Sequence, residues 1–237
     1  MEVMPPITTN LLDVQRRLSL AALAANRPPS SITLLAVSKT FPTSAIREAY
    51  RAGQRCFGEN YVQEGIQKIE DLNDLRNQLT WHFIGPLQSN KTQAVASHFD
   101  WVHSVDREKI AQRLNDQRPA HLSPLNVCVQ INISSETSKS GVQPIDALAL
   151  CQAITQMPHL TLRGLMSIPE PIDDPLLQRD AHRQLRKIFE QIKKELNNPI
   201  HFDTLSMGMS ADMEAAIAEG STIVRIGTAI FGQRTYS

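Results

Sequence analysis

The residue best suited to covalent chemistry is Lys39, which ends an apolar segment. Residues 32–39 read Ile-Thr-Leu-Leu-Ala-Val-Ser-Lys, and Pro42 follows shortly after them. This run predicts a strand buried on both faces, and the strand ends before Pro42 because proline cannot donate to a β-ladder. Lys39 then lies at the carboxyl end of the strand, where α/β proteins bind ligands. A partly desolvated amine there has a lowered pKa and can attack a carbonyl group to form a Schiff base.

A serine- and glycine-containing turn late in the chain offers donors for an anion. Residues 206–212, Ser-Met-Gly-Met-Ser-Ala-Asp, join a predicted strand to a predicted helix. Gly208 lets the backbone approach a ligand closely, and Ser206 and Ser210 add hydroxyl donors. The start of the following helix points free N–H groups toward an anion.

The last predicted strand ends in a second group of this kind. Arg225 is followed closely by Gly227 and Thr228. Barrels commonly bind phosphate at the loops after their seventh and eighth strands. An amine on the first strand and an anion site after the last two suit a small phosphorylated aldehyde or ketone.

Each signal also has a purely structural interpretation. A lysine at a strand end is often a solvated charge, and a serine-rich turn is often a plain helix cap. Arg225 could pair with a carboxylate such as Glu59. The joint placement of a lysine, an arginine and anion donors at strand ends favours the functional interpretation.

Three histidines in strand-like segments, His82, His103 and His201, are interpreted as core residues rather than metal ligands. They lack ligand spacing, and no cluster of carboxylates accompanies them.

Strand-like and helix-like segments alternate about eight times without a Gly/Ser-rich linker. This pattern predicts an α/β protein, a single-domain (β/α)8 TIM-like barrel. An open doubly wound sheet is the alternative, but no Gly-x-Gly-x-x-Gly turn follows the first strand. The predicted strands span residues 32–39, 56–60, 81–85, 101–105, 125–133, 160–168, 202–207 and 222–226.

The charge balance and the cysteines bear on the ligand class and the cellular compartment of the protein. The 237 residues include 24 Lys and Arg and 24 Asp and Glu, and this balance argues against a general nucleic-acid binder. Cys56, Cys128 and Cys151 are odd in number and lack metal spacing, so we expect buried thiols in a reducing compartment. With no signal peptide or membrane span in the sequence, we expect a cytoplasmic protein, with residues 1–9 as a disordered extension.

Several segments in the same order resemble one known family, the pyridoxal-phosphate homeostasis proteins (the YggS/PROSC family). The resemblance runs from the first helix to the last strand. The segments that carry it are 36–40 (AVSKT), 58–61 (GENY), 82–91 (HFIGPLQSNK), 164–166 (GLM), 205–212 (LSMGMSAD) and 224–228 (VRIGT).

The resemblance implies a barrel of the alanine-racemase N-terminal-domain type, with pyridoxal 5'-phosphate (PLP) held as an aldimine on Lys39. It implies that Arg225 faces the pyridine nitrogen, and that Asn60 and Met166 lie beside the ring. The implied phosphate contacts are Ser206, Ser210, Gly227 and Thr228, and Gly208 belongs to the same loop.

An arginine beside the ring also bears on catalysis. PLP stabilises carbanions best when its ring nitrogen is protonated, and a permanently charged arginine disfavours that protonation. Alanine racemases with this barrel carry a further β domain, for which we expect no room after residue 237. The second proton donor for racemisation would have to be a residue such as Tyr61 or His82.

The leading hypothesis is a monomeric PLP-binding protein without substantial catalysis. It would buffer PLP in vitamin B6 homeostasis or carry it to apo PLP-dependent enzymes, and would act indirectly on amino-acid and keto-acid balance. The alternatives are a minor amino-acid racemase and a Schiff-base aldolase.

Overall fold

Eight parallel strands close into one barrel in the computed structural model, which describes residues 6–134 and 140–233. Each strand pairs with the next along the chain, and the last pairs with the first. The strands are β1 Thr33–Val37, β2 Cys56–Glu59, β3 Thr80–Phe83, β4 Trp101–Val105, β5 Leu125–Gln130, β6 Leu160–Met166, β7 Thr204–Ser206 and β8 Ile223–Ile226. The predicted (β/α)8 barrel is confirmed.

Amphipathic helices connect the strands. Helix α7 shows the principle: its apolar residues recur every three or four positions, so that Leu185, Phe189 and Ile192 are buried together. The α-helices are α1 Ile7–Ala24, α2 Thr43–Arg51, α3 Val62–Asp71, α4 Thr92–His98, α5 Glu108–Gln117, α6 Ala147–Thr155, α7 Pro175–Glu195, α8 Met213–Ala218 and α9 Thr228–Phe231. Short 3-10 turns span Pro29–Ser31, Asn73–Leu75, Ser89–Lys91 and Pro144–Asp146.

Most strands end before the limit predicted from the sequence. Strand β1 ends at Val37, so Lys39 lies in the following turn, where the next residue, Thr40, has a φ of +69°. Strand β5 ends at Gln130 rather than at residue 133. After β3 and β6, the apolar residues Ile84 and Ile168 lie beyond the end of the ladder and form part of the wall at the carboxyl face of the barrel.

The first helix begins earlier than expected. Helix α1 starts at Ile7, directly after Pro6, so residues 7–9 are helical and the prediction of a disordered extension is wrong for them. The Pro6 carbonyl accepts the Thr9 N–H at 2.9 Å. The Asn10 side chain donates to the Ile230 carbonyl oxygen at 2.9 Å, which attaches α1 to α9. Residues 1–5 lie outside the described part of the chain.

The histidine and cysteine predictions hold in part. His82 and His103 are buried inside the barrel, as predicted, whereas His201 precedes β7 and is exposed. Cys128 and Cys151 are buried, and Cys56 is half-buried at the start of β2. Across residues 6–134 and 140–233, no three His, Cys, Asp or Glu side chains come together as a metal site. No helix in these ranges is long and apolar enough to cross a membrane.

Candidate functional site

A cavity of about 400 Å³ opens at the carboxyl ends of the strands. Six of the nine predicted binding residues line it: Lys39, Asn60, Ser210, Arg225, Gly227 and Thr228. Apolar residues form much of the remaining wall, namely Val37, Phe41, Ile84, Ile168, Met209 and Ala211. The topology explains this convergence, because carboxyl ends of parallel strands meet at one face of a barrel.

The other three predicted residues lie behind the cavity wall. Met166 ends β6 and is fully buried. Ser206 ends β7 and is also fully buried, and its hydroxyl bonds to protein groups. Gly208 has a φ of +95°, and a Cβ there would come within 2.5 Å of the Ala216 Cβ. Its glycine is therefore needed for the turn and for packing against α8, and not for a direct approach to the cavity.

The backbone on both sides of Lys39 is fixed by side chains from β2 and α3. Lys68 Nζ donates to the Ser38 carbonyl oxygen at 2.7 Å, and the Ser38 hydroxyl donates to Glu59 Oε1 at 2.6 Å. After Lys39, the Thr40 N–H donates to Glu64 Oε1 at 2.5 Å. These bonds set the direction in which the lysine leaves the chain.

Lys68 and Glu59 form the buried centre of this network. Lys68 Nζ lies 2.8 Å from Glu59 Oε1 and 2.6 Å from Glu64 Oε1, so that with the Ser38 carbonyl it has three acceptors for its three protons. The Lys68 and Glu59 side chains are 6% and 0% exposed. Burial raises the pKa of Glu59, and the attraction of Lys68 opposes that rise. Both members of the pair contact Ser38, the residue before Lys39.

Lys68 is not among the residues predicted from the sequence. The sequence does contain a local indication of an ion pair at Lys68. Glu64 and Lys68 are four residues apart on α3, and Glu59 lies shortly before that helix. That spacing is also typical of solvent-exposed helix pairs, so it does not indicate burial.

Arg225 is held by backbone carbonyls and one hydroxyl. Its Nη1 donates to the Ser206 carbonyl at 2.6 Å and to Ser206 Oγ at 2.9 Å, and its Nη2 donates to the Ser167 carbonyl at 2.8 Å. Burial lowers the pKa of Arg225 to about 10, so the guanidinium stays charged at neutral pH. The alternative pairing with Glu59 is wrong, because Glu59 pairs with Lys68.

The loop after β7 takes its shape from Asp212. The Met209 N–H donates to Asp212 Oδ1 at 2.6 Å, and His182 Nε2 lies 2.9 Å from Asp212 Oδ2. Burial alone would raise the pKa of Asp212, but the hydrogen bonds from His182 and from the Met209 N–H hold it below the ordinary value. Ser210 is thereby presented at the cavity wall.

The start of α9 forms the adjoining wall. Gly227 lies against β1, where a Cβ would come within 3.2 Å of the Val37 carbonyl oxygen. Thr228 is the first residue of α9, and the first N–H groups of a helix have no acceptor within it. The loop after β7 and the start of α9 thus offer the cavity the hydroxyls of Ser210 and Thr228 and backbone N–H groups.

Asn60 offers a further polar contact. Its Oδ1 is buried and has no hydrogen-bond partner among the described residues. The Asn60 backbone packs so closely on Gly85 that a Cβ there would lie 2.1 Å from the Asn60 carbonyl oxygen. Ser104 Oγ donates to the Gly85 carbonyl at 2.5 Å and fixes this contact. A buried amide oxygen without a partner fits a cavity that receives a polar ligand.

The donor set fits PLP. It combines an amine, a guanidinium, an orphaned amide and anion donors with apolar walls on which a flat ring can pack. A cavity of about 400 Å³ is within the usual range for small-molecule and cofactor sites.

Known proteins resemble this chain along nearly its whole length. Residues 17–235 match the family model described as "Alanine racemase, N-terminal domain". The chain is 57% identical over 235 residues to a protein of Escherichia coli K12 named pyridoxal phosphate homeostasis protein, with 99% of each chain covered. A Pasteurella multocida protein of that name is 56% identical over 231 residues, which is 98% of this chain and 99% of the relative.

A solved structure agrees in fold and in sequence. PipY of Synechococcus elongatus, solved with PLP bound, superposes with a TM-score of 0.79 at 40% identity and covers 92% of this chain and 100% of PipY. By fold, by family model and by sequence identity, this chain belongs to the pyridoxal phosphate homeostasis protein family, on the barrel of the alanine racemase N-terminal domain.

Proposed function

We propose that this protein binds PLP in the carboxyl-face cavity and holds it for release to other proteins rather than for its own catalysis. The observation that carries the proposal is one cavity that brings Lys39, Arg225 and the Ser210 and Thr228 hydroxyls together. The homology supports it, since PipY was solved with PLP bound.

Each residue has a defined part in this binding. Lys39 would hold PLP covalently through its amine, since a primary amine condenses with an aldehyde with loss of water. Ser210, Gly227 and Thr228 receive the phosphate through hydroxyls and backbone N–H groups. Arg225 and Asn60 would hold the ring, with the Ser206 hydroxyl bonded to Arg225 and with Met166 and Gly208 behind the cavity wall.

Bound PLP would supply an electron sink for carbanions. Within the part of the chain that the structure describes, the cavity lacks residues that would protonate the ring nitrogen of PLP and, besides Lys39, transfer protons to and from a substrate. Arg225 remains charged and disfavours protonation of a ring nitrogen beside it. Among the described residues that line the cavity, no Asp, Glu, His, Tyr or Cys accompanies Lys39 as a proton donor or acceptor.

The two further proton donors considered from the sequence lie elsewhere. Tyr61 is 52% exposed and is not on the cavity wall, and His82 is buried inside the barrel. Racemisation needs proton delivery from both faces of the substrate. The geometry therefore favours storage and delivery of PLP, with apo PLP-dependent enzymes as recipients, over a racemase or an aldolase.

Two assays on the PLP-loaded protein test this proposal. The first follows racemisation of D- and L-amino acids, and the second follows reactivation of an apo PLP-dependent enzyme. We expect reactivation without turnover. Turnover near the enzyme median of roughly 10 per second would contradict the carrier function, and so would retention of PLP that no apo enzyme can overcome. Free PLP at the same concentration is the control for the second assay.

A further inference from the structure

A chain of hydrogen bonds crosses the barrel interior from the candidate site. Arg225 Nη1 donates to Ser206 Oγ at 2.9 Å, and Ser206 Oγ lies 2.8 Å from His103 Nδ1. His103 Nε2 in turn lies 2.9 Å from His82 Nδ1. Arg225 and Ser206 are at most 4% exposed, and both histidines are equally buried. The four side chains come from β8, β7, β4 and β3.

This chain of hydrogen bonds ends at His82, near the opposite face of the barrel. A cavity of about 370 Å³ lies there at the amino ends of the strands. His82 lines it and stacks on Trp101, with ring centroids 5.2 Å apart. His82 Nε2 has no hydrogen-bond partner among the described residues.

The chemistry of the four groups fixes the direction of the hydrogen bonds. A guanidinium can only donate, so Ser206 Oγ accepts from Arg225. Within the described residues, His103 Nδ1 is the only group placed to accept the Ser206 hydroxyl proton. His103 must then carry its proton on Nε2 and donate it to His82 Nδ1, which leaves the His82 proton on Nε2.

The charge state of the histidines agrees with this order. Burial lowers the pKa of His82 to about 3. Burial, with His82 and Arg225 nearby, also lowers the pKa of His103 well below its ordinary value. Both rings are therefore neutral at pH 7, and a neutral imidazole has one donor nitrogen and one acceptor nitrogen.

We propose that His103 is a positioning residue for Arg225, which acts by accepting the Ser206 hydroxyl proton so that Ser206 Oγ presents its lone pairs to the guanidinium. The inference rests on the proposed function, because Arg225 is the group that faces the ring of PLP.

A neutral acceptor at this place has a specific advantage. A carboxylate behind Ser206 would offset the positive charge of Arg225, whereas an uncharged imidazole orients the guanidinium and leaves its charge intact. No carboxylate of the described residues hydrogen-bonds to Arg225. His82 supports this arrangement, because its Nδ1 accepts the His103 Nε2 proton.

The first test uses the PLP-free protein and does not depend on cofactor binding. Nitrogen-15 NMR of the histidine rings at pH 7 should show both His103 and His82 neutral and protonated on Nε2. In His82→Leu, His103 should keep this tautomer, because the Ser206 hydroxyl still takes Nδ1 as its acceptor. A His103 ring protonated on Nδ1, or charged, would overturn the proposal whatever the protein binds.

The second test compares two substitutions at one position. His103→Asn keeps an acceptor close to the position of Nδ1, whereas His103→Leu keeps none. We expect about tenfold weaker PLP binding and a shifted visible absorption of bound PLP in His103→Leu. In His103→Asn we expect affinity within about threefold of the unaltered chain.

Leu114→Ala in α5 is the control for loss of stability, and it should change neither property of bound PLP. Equal effects of His103→Asn and His103→Leu would overturn the proposal. If His103→Leu does not fold, His103→Asn and the tautomer measurement still decide it. Absence of PLP binding by the unaltered chain would instead contradict the proposed function, and it would leave the tautomer result standing.

Discussion

Lys68 Nζ donates to the Ser38 carbonyl oxygen at 2.7 Å, and this bond fastens the residue before Lys39 to helix α3. The same ammonium group pairs with Glu59 and with Glu64, which accepts the N–H of the residue after Lys39. The proposed covalent bond to PLP requires Lys39 to leave the chain in a defined direction, and the bonds to Lys68 and Glu64 fix the backbone on either side of it. The network therefore links the stability of the barrel to the geometry of its site.

We expect Lys68→Met to destabilise the fold and to misplace Lys39. The substitution leaves Glu59 buried without its partner, which costs about 3–5 kcal/mol in the free energy of unfolding. Urea denaturation measures this cost. The rate at which borohydride fixes PLP on Lys39 should also fall.

Two variants control this prediction. Glu59→Gln combined with Lys68→Met removes the unpaired charge and should recover part of the loss. Arg47→Met breaks an ion pair with Asp74 at the surface, 2.8 Å between Nη2 and Oδ1, and should cost far less, because solvent screens an exposed pair. Equal losses in Lys68→Met and Arg47→Met would contradict a central role for Lys68.

Lys39 should carry the covalent link to PLP. After borohydride reduction and proteolysis, we expect the pyridoxyl group on the peptide that contains Lys39. A label on Lys91 or Lys139 would contradict this assignment. Lys39→Ala should still bind PLP without a covalent bond, because the phosphate donors remain. Lys39→Ala should lose the visible absorption band of the aldimine, which would show that Lys39 forms the covalent link. PLP that stays with this variant on gel filtration would show that binding survives without that link.

The barrel and much of its site follow from local features of the sequence. Lys39 and Arg225 end apolar runs, and strand ends of parallel sheets converge, so both could be placed at one face without a structure. Lys68 could not, because its acceptor Ser38 is 30 residues away in sequence. The turn at Thr40, with its positive φ, also contacts that network, because the Thr40 N–H donates to Glu64 Oε1.

The interior chain of hydrogen bonds was equally beyond prediction from sequence. His82, His103 and Ser206 lie on three strands, and their meeting depends on which face of each strand points inward and on the stagger of the barrel. The sequence indicates burial of the two histidines, since both lie in strand-like segments rich in apolar residues. It contains no sign that one ring bonds to the other or to a serine on the far side.

Asp212 should make stability depend on pH in the acid range. Its folded pKa lies below the ordinary value of 3.8. As pH falls through that range the unfolded chain therefore takes up the proton first, and stability is lost toward the folded pKa. Unfolding free energies measured between pH 5 and pH 3 should fall less steeply in Asp212→Asn than in the unaltered chain. An unchanged slope would show that Asp212 has no such role.

The proposed phosphate donors should distinguish PLP from pyridoxal, which lacks the phosphate. Ser210 and Thr228 line the cavity beside Gly227, and a hydrogen bond to a charged group contributes about 1.5–3 kcal/mol. Ser210→Ala and Thr228→Val should therefore each weaken PLP binding by about tenfold or more and leave the weaker binding of pyridoxal nearly unchanged. Isothermal titration in the Lys39→Ala background measures both ligands without the covalent step. Thr155→Val is the matched control, because its hydroxyl donates to the Gln152 carbonyl at 2.7 Å within α6. If Ser210→Ala and Thr228→Val weaken both ligands equally, the two hydroxyls support the cavity wall and do not bind the phosphate.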